Sequence, residues 1–264
     1  MHEVQALDTL NFSNNLQAFA NPKDIMKIPL FLATATLGFT CLTLSRAPAA
    51  EATNQAVRLV IVGDSTVCNW PETDSRRGWG MFIQEYLNNH FRVINLAKSG
   101  RSTKTFIKEG LWDKALKEHP DYVLIQFGHN DSHSPDKPES TDAKITYKDY
   151  LRQYIDDSRA IGAHPILVTP MCRRTFEAGG KLKDALLPYA NAMKEVAMEK
   201  RVPLVGLHAA SARLFEQPGQ TASNALANEP GDATYFNEKG AKAMAGLVMQ
   251  ELPVVEPALK QDLK

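Results

Sequence analysis

The chain has 264 residues, and its 30 lysines and arginines balance 30 aspartates and glutamates, so the formal net charge at neutral pH is zero. This balance argues against a nucleic-acid-binding protein, for which a strongly basic face is expected. Any anionic ligand must therefore be bound by a local group of basic residues.

The first 50 residues have the pattern of an export signal. Lys27 precedes an uncharged, mostly apolar run over residues 28–44, and a small-residue cleavage sequence follows at residues 47–50. These features are typical of a secretory signal peptide. A membrane anchor is the alternative, although the run is short for a span and contains a proline and a glycine. We expect residues 1–25 to reflect a start codon assigned too early. The remaining chain is expected to be secreted or periplasmic, with no membrane span after cleavage.

Residues 51–264 are predicted to form one α/β domain. Short runs rich in Val, Ile and Leu alternate with amphipathic runs, as in sheets of buried parallel strands connected by helices. Strands are predicted at residues 57–62, 91–96, 122–127, 165–169 and 203–207, and helices at residues 79–89, 112–118, 147–161, 187–200 and 238–251. Residues 132–143 and 217–232 are predicted to be polar loops. The alternation predicts a doubly wound α/β sandwich.

A candidate active-site residue follows each of the first three predicted strands. Ser65 comes after the first strand, Gly100 after the second and Asn130 after the third. The carboxyl ends of parallel strands meet at one edge of the sheet, so these residues are expected to lie together. Ser65 is predicted at a strand-to-helix turn, where a helix N-terminus would favour an oxyanion. Taken singly, each residue has a structural alternative, namely an N-cap, a turn glycine and an Asx-turn residue.

The motifs around these residues resemble those of the SGNH (GDSL-type) hydrolases, in particular the rhamnogalacturonan acetylesterase-like branch. The motifs that carry the resemblance lie at residues 63–67, 78–80, 95–102, 106–107, 126–131, 173–176 and 236–241. The resemblance spans roughly residues 58–252. It implies a three-layer α/β/α sandwich with a flavodoxin-like five-stranded parallel sheet, the SGNH hydrolase fold. It also implies an esterase that acts on acetylated polysaccharide or oligosaccharide and needs no metal or organic cofactor.

The resemblance also implies a role for individual residues. By position, Ser65 is the nucleophile, and the Ser65 N–H, Gly100 and Asn130 form the oxyanion hole. Asp232 is the acid of the catalytic triad. The departure is Tyr235, which stands where the Asp-x-x-His pattern of the family places the general base. A phenol is protonated at neutral pH and accepts the serine proton poorly, so we expect much reduced activity.

Another histidine could replace the missing base. His133 lies three residues after Asn130 on a predicted loop and could approach Ser65. His129 is expected to brace its own loop, and His208 is expected to be structural.

Basic residues on the same face of the sheet are candidates for substrate binding. Arg101, Arg173 and Arg174 could pair with the carboxylates of galacturonate, because a guanidinium binds a carboxylate through two parallel hydrogen bonds. Local ion pairing with neighbouring acids is the alternative. His129 is a further candidate at this face.

The cysteines outside the export segment leave two possibilities. Cys68 and Cys172 could form a disulfide in an exported protein or remain buried thiols. The sequence has no C-x-x-C motif and no histidine cluster, so no structural zinc site is predicted.

The sequence therefore predicts an exported carbohydrate esterase that deacetylates a pectic polysaccharide, with activity impaired at Tyr235. A catalytically dead protein that binds acetylated sugar is the alternative. An esterase for lipids or thioesters is a third possibility, and the polar loops count against it.

Overall fold

The computed structural model describes residues 56–264. The predicted export segment, residues 1–50, lies outside the described residues.

A five-stranded sheet occupies the middle of the domain. Its strands are β1 (Val57–Gly63), β2 (Phe91–Asn95), β3 (Tyr122–Gln126), β4 (His164–Val168) and β5 (Leu204–Val205). The strand order is β2-β1-β3-β4-β5, and every neighbouring pair is parallel. This is the flavodoxin-like order, so the predicted fold class is confirmed. Strand β2 lies on one side of β1, and β3 lies on the other side, so the strand order reverses direction at β1. Ligands in such sheets bind at this switch point, outside the carboxyl ends of β1 and β3.

Helices cover both faces of the sheet. The α-helices are α1 (Thr103–Lys108), α2 (Leu111–Leu116), α3 (Thr146–Ala160), α4 (Leu187–Lys200), α5 (Leu207–Glu216), α6 (Gly219–Ser223) and α7 (Glu238–Val255). Three segments are 3-10 helices, namely Trp79–Tyr86, Asn224–Leu226 and Pro257–Asp262. Asn237 is the N-cap of α7, as predicted, and its side chain accepts the Gly240 N–H at 2.9 Å. None of the helices within residues 56–264 is both long and apolar enough to cross a bilayer.

Strand β1 shows how the three layers are held together. Its side chains alternate between two apolar cores because successive residues of a strand point to opposite faces. Leu59 and Ile61 pack with α5, α7 and the first 3-10 helix. Val60 and Val62 pack with α1, α2, α3 and α4. All four side chains are fully buried, and each contributes about 1.5–3 kcal/mol relative to an exposed position.

The end of the sheet differs from the prediction. The fifth strand was predicted over residues 203–207, but β5 contains only two residues and Leu207 already begins α5. The Gly206 N–H is taken by the carboxylate of Glu251 on α7 at 2.8 Å, which stops the ladder. The apolar residues that follow, such as Phe215, therefore pack from a helix that the sequence pattern did not reveal.

Other segments also differ from the prediction, among them α1 (Thr103–Lys108), where no helix was predicted. The helix predicted over residues 79–89 is the shorter 3-10 helix Trp79–Tyr86. Its first N–H groups donate to the Thr66 and Val67 carbonyls of the turn after β1, which ties the start of the helix to that turn. The loop predicted over residues 217–232 contains the short helix α6.

Candidate active site

Ser65 lies in a tight turn directly after β1. The Asp64 carboxylate accepts the Thr66 N–H at 2.9 Å and the Thr66 hydroxyl at 2.7 Å, which fixes the turn. The expectation of a helix at this point was wrong, because the chain turns and the next helix begins only at Trp79. Ser65 is 5% exposed. Within residues 56–264, neither its hydroxyl nor its N–H takes part in a hydrogen bond. Both groups can therefore act on a ligand.

Gly100 lies in the turn after β2. Its φ is +79°, a left-handed conformation that side chains rarely adopt, so the backbone explains the glycine here. No atom lies within 4 Å of the place where a Cβ would stand. In the described part of the chain, the Gly100 N–H donates no hydrogen bond. It is the second backbone donor left available beside the switch point.

Asn130 connects the turn after β3 to the turn after β2. Its Nδ2 donates to the Arg101 carbonyl at 2.9 Å, so the amide spans two loops rather than closing an Asx turn in its own loop. Asn130 is 8% exposed. Only one of its two amide hydrogens is used in this contact, and the second is available to a ligand.

Asp131 fixes the same loop, although the sequence pattern gave it no separate role. Its carboxylate accepts the Thr103 N–H at 3.2 Å and the Thr141 hydroxyl at 2.9 Å. Asp131 is fully buried, and burial raises its pKa to about 6 against the opposing effect of these hydrogen bonds. The loop that carries Asn130 is thereby anchored to the start of α1.

The loop before α7 carries Asp232 and Tyr235. Asp232 Oδ1 accepts the backbone N–H groups of Thr234 at 2.7 Å and Tyr235 at 2.8 Å. Arg174 donates through Nη2 to the carbonyls of Asp232 at 3.0 Å and Tyr235 at 2.6 Å. The Arg174 N–H also donates to the Ala233 carbonyl at 2.8 Å. The Asp232 side chain and Arg174 therefore both fix the loop at residues 232–235.

The three arginines predicted to bind substrate lie in different surroundings. Arg101 pairs with Glu109 at 2.9 Å, which is the local ion pairing named as the alternative. Arg174 is 2% exposed and donates to the loop carbonyls; burial lowers its pKa to about 10. Arg173 is half-buried and donates to the Thr234 hydroxyl and, at 3.3 Å, to the His129 carbonyl. Of the three, Arg174 has the contacts of a bracing residue rather than of a substrate ligand.

The Tyr235 ring adjoins Trp70, which in turn contacts the Ser65 backbone. Ring centroids of Tyr235 and Trp70 are 5.9 Å apart in an edge-to-face arrangement. Trp70 Nε1 donates to the Ser65 carbonyl at 3.0 Å. The Arg76 guanidinium lies 3.7 Å above the Trp70 ring and 5.3 Å from the centre of the Tyr235 ring. Tyr235 therefore contacts Trp70, and Trp70 contacts Ser65. The position of Arg76 over both rings was not predicted from the sequence.

The histidines considered as replacement bases have partners elsewhere. His129 is buried, with Nδ1 3.4 Å from Asp64 Oδ2. Burial would raise the pKa of Asp64, but His129 and the Thr66 hydrogen bonds outweigh it and lower the pKa. His133 Nδ1 is 2.6 Å from Glu139, and His208 Nε2 is 2.9 Å from Asp184. Within residues 56–264, no histidine makes a hydrogen bond to the Ser65 hydroxyl.

The cysteines Cys68 and Cys172 are both buried free thiols. Burial raises the pKa of each thiol to about 12.

Comparison with known proteins identifies the family. Residues 61–243 match the family described as GDSL-like Lipase/Acylhydrolase. The chain is 39% identical to the probable rhamnogalacturonan acetylesterase YesY of Bacillus subtilis, over 78% of this chain and 99% of that protein. It is 36% identical to the rhamnogalacturonan acetylesterase RhgT of the same organism, over 78% of this chain and 94% of that protein.

Solved structures have the same fold. The crystal structure of the Bacillus subtilis protein YxiM superposes with a TM-score of 0.69 at 30% identity and covers 78% of this chain. This chain spans 58% of that longer one. The acetylxylan esterase Axe2 from Geobacillus stearothermophilus superposes with a TM-score of 0.60 at 19% identity, over 75% of this chain and 94% of Axe2, which shows a shared fold. The chain belongs to the GDSL-like lipase/acylhydrolase family and is an SGNH-type esterase.

Proposed function

We propose that this protein removes acetyl groups from a pectic polysaccharide of the rhamnogalacturonan type, with turnover impaired by Tyr235. One observation carries the reaction class. Within residues 56–264 the Ser65 hydroxyl and the N–H groups of Ser65 and Gly100 make no hydrogen bond. These groups and the Asn130 amide follow β1, β2 and β3, three neighbouring parallel strands that end at the same edge of the sheet. The substrate class rests on the acetylesterases to which the chain is similar over most of its length.

The reaction would proceed through an acetyl-enzyme. Ser65 Oγ attacks the acetyl carbonyl, and the carbonyl oxygen becomes an oxyanion that accepts hydrogen bonds from the Ser65 and Gly100 N–H groups and from Asn130 Nδ2. The tetrahedral intermediate collapses, the sugar oxygen leaves as a hydroxyl with the proton that Ser65 released, and the acetyl group stays on Ser65. Water then attacks this ester, releases acetate and restores the hydroxyl.

The weak step is proton transfer. In a serine esterase with a complete triad, a histidine accepts the proton of the nucleophilic serine and returns it to the leaving oxygen. We propose that Tyr235 occupies the position of this histidine, where a tyrosine side chain would be a poor general base. Loss of such a base leaves the contribution of the oxyanion hole and of substrate binding, which is about 10³–10⁴ over water in subtilisin, the system in which it was measured.

Acetate release from a set of substrates tests this function. The unmodified protein, Ser65→Ala and Tyr235→His should be compared on acetylated rhamnogalacturonan, acetylated xylan and p-nitrophenyl esters of short and long acids. We expect the highest kcat/KM on acetylated rhamnogalacturonan and no turnover by Ser65→Ala. A preference for xylan would replace the pectic substrate by another carbohydrate, and a preference for long acyl chains would contradict carbohydrate esterase function.

A second function is the binding of acetylated sugar without turnover. One observation favours it: within residues 56–264, no base makes a hydrogen bond to the Ser65 hydroxyl. Calorimetric titration with acetylated and deacetylated oligogalacturonides distinguishes the two functions. Binding that needs the acetyl group, with no acetate released even by Tyr235→His, would favour the binding protein.

We also propose that the protein is exported and acts outside the cytoplasm. The support is the sequence pattern of Lys27, the apolar run over residues 28–44 and the small residues at 47–50. N-terminal sequencing of the protein recovered from its native source should begin near residue 50 or 51. A mature chain that retains residues 1–50 would contradict export by cleavage.

A further inference from the structure

Three side chains that commonly bind metal ions meet behind the segment that carries Arg173 and Arg174. Cys172 follows β4, Asp184 lies in the segment before α4, and His208 lies in the first turn of α5. Cys172 Sγ is 3.5 Å from His208 Nε2, and Nε2 is 2.9 Å from Asp184 Oδ1. The three ligand atoms all lie within 4.8 Å of one another.

The contacts do not match a second catalytic triad. In a triad the nucleophile and the carboxylate bind opposite nitrogens of the imidazole. Here the thiol and the carboxylate both approach the same nitrogen, Nε2 of His208. Three ligand atoms within 4.8 Å of one another can instead surround a cation.

Two of the three separations can be compared with those of tetrahedral coordination. With zinc–sulfur and zinc–nitrogen bonds of about 2.3 and 2.0–2.1 Å, the sulfur and nitrogen should lie about 3.6 Å apart, and a nitrogen and an oxygen ligand about 3.3 Å apart. The observed 3.5 Å between Cys172 and His208 needs no rearrangement. Asp184 would withdraw by a few tenths of an ångström from its present 2.9 Å. We propose that Cys172, Asp184 and His208 bind one thiophilic divalent cation, with Zn²⁺ as the preferred ion.

The two buried ligands are already held in place. The Cys172 N–H donates to the Ser211 hydroxyl at 3.0 Å, and that hydroxyl donates to the His208 carbonyl at 2.9 Å. The His208 N–H donates to the Thr169 hydroxyl at 2.8 Å. These bonds join the end of β4 to the first turns of α5. Little conformational entropy therefore remains to be lost when a cation binds.

The third ligand provides the route to solvent. Cys172 and His208 are both 3% exposed, whereas the side chain of Asp184 is 29% exposed. A cation can enter on the side of Asp184, and a water molecule can complete the coordination there. Three protein ligands and one open position are the pattern of accessible zinc sites.

The charges of the site balance after one proton leaves. The Cys172 thiolate and the neutral His208 imidazole are the forms that would bind a metal ion. The thiol releases its proton as the metal–sulfur bond forms. The thiolate and the Asp184 carboxylate then neutralise the two charges of the cation. Affinity should therefore rise with pH, because protons compete with the metal for sulfur.

The site would also stabilise the neighbouring active-site loop. Cys172 is followed directly by Arg173 and Arg174, which donate to the loop at residues 232–235. A cation on Cys172 would fix this segment relative to α5. Metal binding should therefore raise the melting temperature of the protein.

Cobalt spectroscopy tests the proposal on the purified protein after treatment with a chelator. Co²⁺ bound to a thiolate shows a sulfur-to-cobalt charge-transfer band and intense visible bands when the geometry is tetrahedral. We expect both at one Co²⁺ per chain, with displacement by Zn²⁺ and a higher melting temperature with Zn²⁺. Asp184→Asn should weaken binding at least about 10-fold.

The second buried cysteine supplies the matched control. Cys68 is also a free thiol whose pKa burial raises to about 12. Cys68→Ser should retain the charge-transfer band, and Cys172→Ser should lose it. Absence of the band in the unmodified protein, or its persistence in Cys172→Ser, would overturn the proposal. If Cys172→Ser does not fold, unchanged affinity in Asp184→Asn would overturn it as well.

Discussion

Asp232 accepts the backbone N–H of Tyr235 through its Oδ1 atom at 2.8 Å. The same oxygen accepts the Thr234 N–H, whereas Oδ2 makes no hydrogen bond within residues 56–264. One carboxylate oxygen thus fixes the loop, and the other is available to a side chain at position 235. We therefore expect this loop to be able to orient an imidazole at position 235.

Tyr235→His is expected to restore the missing base. Asp232 Oδ2 can orient the new imidazole, which can then accept the Ser65 proton. We expect kcat/KM on p-nitrophenyl acetate and acetylated pectin to rise at least about 10²-fold, the lower end of a general base's contribution. The gain should disappear in the Ser65→Ala, Tyr235→His double variant.

Tyr235→Phe is the matched control for this experiment, because it keeps the ring against Trp70 and removes only the hydroxyl. If the unmodified protein already has the activity of its acetylesterase relatives, another base must act, and His133→Ala is the first variant to test. An inert Tyr235→His protein would instead support the sugar-binding function.

Asn130→Ala should reduce turnover more than substrate affinity. The Asn130 amide would bind the oxyanion, which exists only after attack by Ser65. Removal of one such donor costs about 10²–10³ in kcat in subtilisin. Steady-state kinetics in the Tyr235→His background should show this loss in kcat with KM changed little. A rise in KM at unchanged kcat would place Asn130 in substrate binding instead.

Arg174→Met should loosen the loop more than it destabilises the fold. The guanidinium donates to the carbonyls of Asp232 and Tyr235, but its Nε and Nη1 atoms are buried without a partner among the described residues. The variant loses two charge-assisted bonds, and it also removes two unpaired buried donors, so the energies partly offset. We expect kcat/KM in the Tyr235→His background to fall at least about 10-fold, and the free energy of unfolding to change by less than about 2 kcal/mol.

Arg152→Met is a control for the loss of an arginine. Arg152 pairs with Glu199 on the exposed side of α3 and α4. Exposed ion pairs contribute about 0–1 kcal/mol, so stability and activity should both stay near those of the unmodified protein. If Arg174→Met behaves in the same way, Arg174 does not position the loop.

Asp131→Asn should change how stability depends on pH. Burial raises the pKa of Asp131 to about 6, above the value of about 3.9 expected in the unfolded chain. Between these values the folded protein binds the proton more tightly, so the contribution of Asp131 to stability falls as pH rises from about 4 to about 6 and is constant above. Denaturant unfolding at pH 4 and pH 7 should show the unmodified protein losing stability relative to the variant by on the order of 2 kcal/mol.

Asp136→Asn is the control for this measurement, because the side chain of Asp136 is 72% exposed. The difference in stability between the Asp136→Asn variant and the unmodified protein should stay constant over the same pH range. An Asp131→Asn protein with the same pH dependence as the control would show that Asp131 titrates in the folded protein as it does in the unfolded chain.

The pattern of residues along the chain predicts the parallel sheet and the edge at which the candidate active-site residues lie. Buried parallel strands are short, continuous apolar runs, so β1 to β4 can be located within one or two residues. Because parallel strands end at one edge, the order of the chain predicts that Ser65, Gly100 and Asn130 lie together. Helix α5 was missed because its apolar residues directly follow a strand-like run, and only the Glu251 contact to Gly206 decides where β5 ends.

The sequence by itself determined the family and the parallel α/β fold, because the family motifs and the alternating apolar runs can be recognised along the chain. The oxyanion residues and the role of position 235 remain predictions from the same motifs. The tertiary structure decided which charged groups meet across distant segments. It placed Arg174 on the loop carbonyls and Arg101 on Glu109. It also brought ligand atoms of Cys172, Asp184 and His208 within 4.8 Å of one another. Side-chain partners of this kind depend on the packing of helices against the sheet, and no spacing along the chain encodes them.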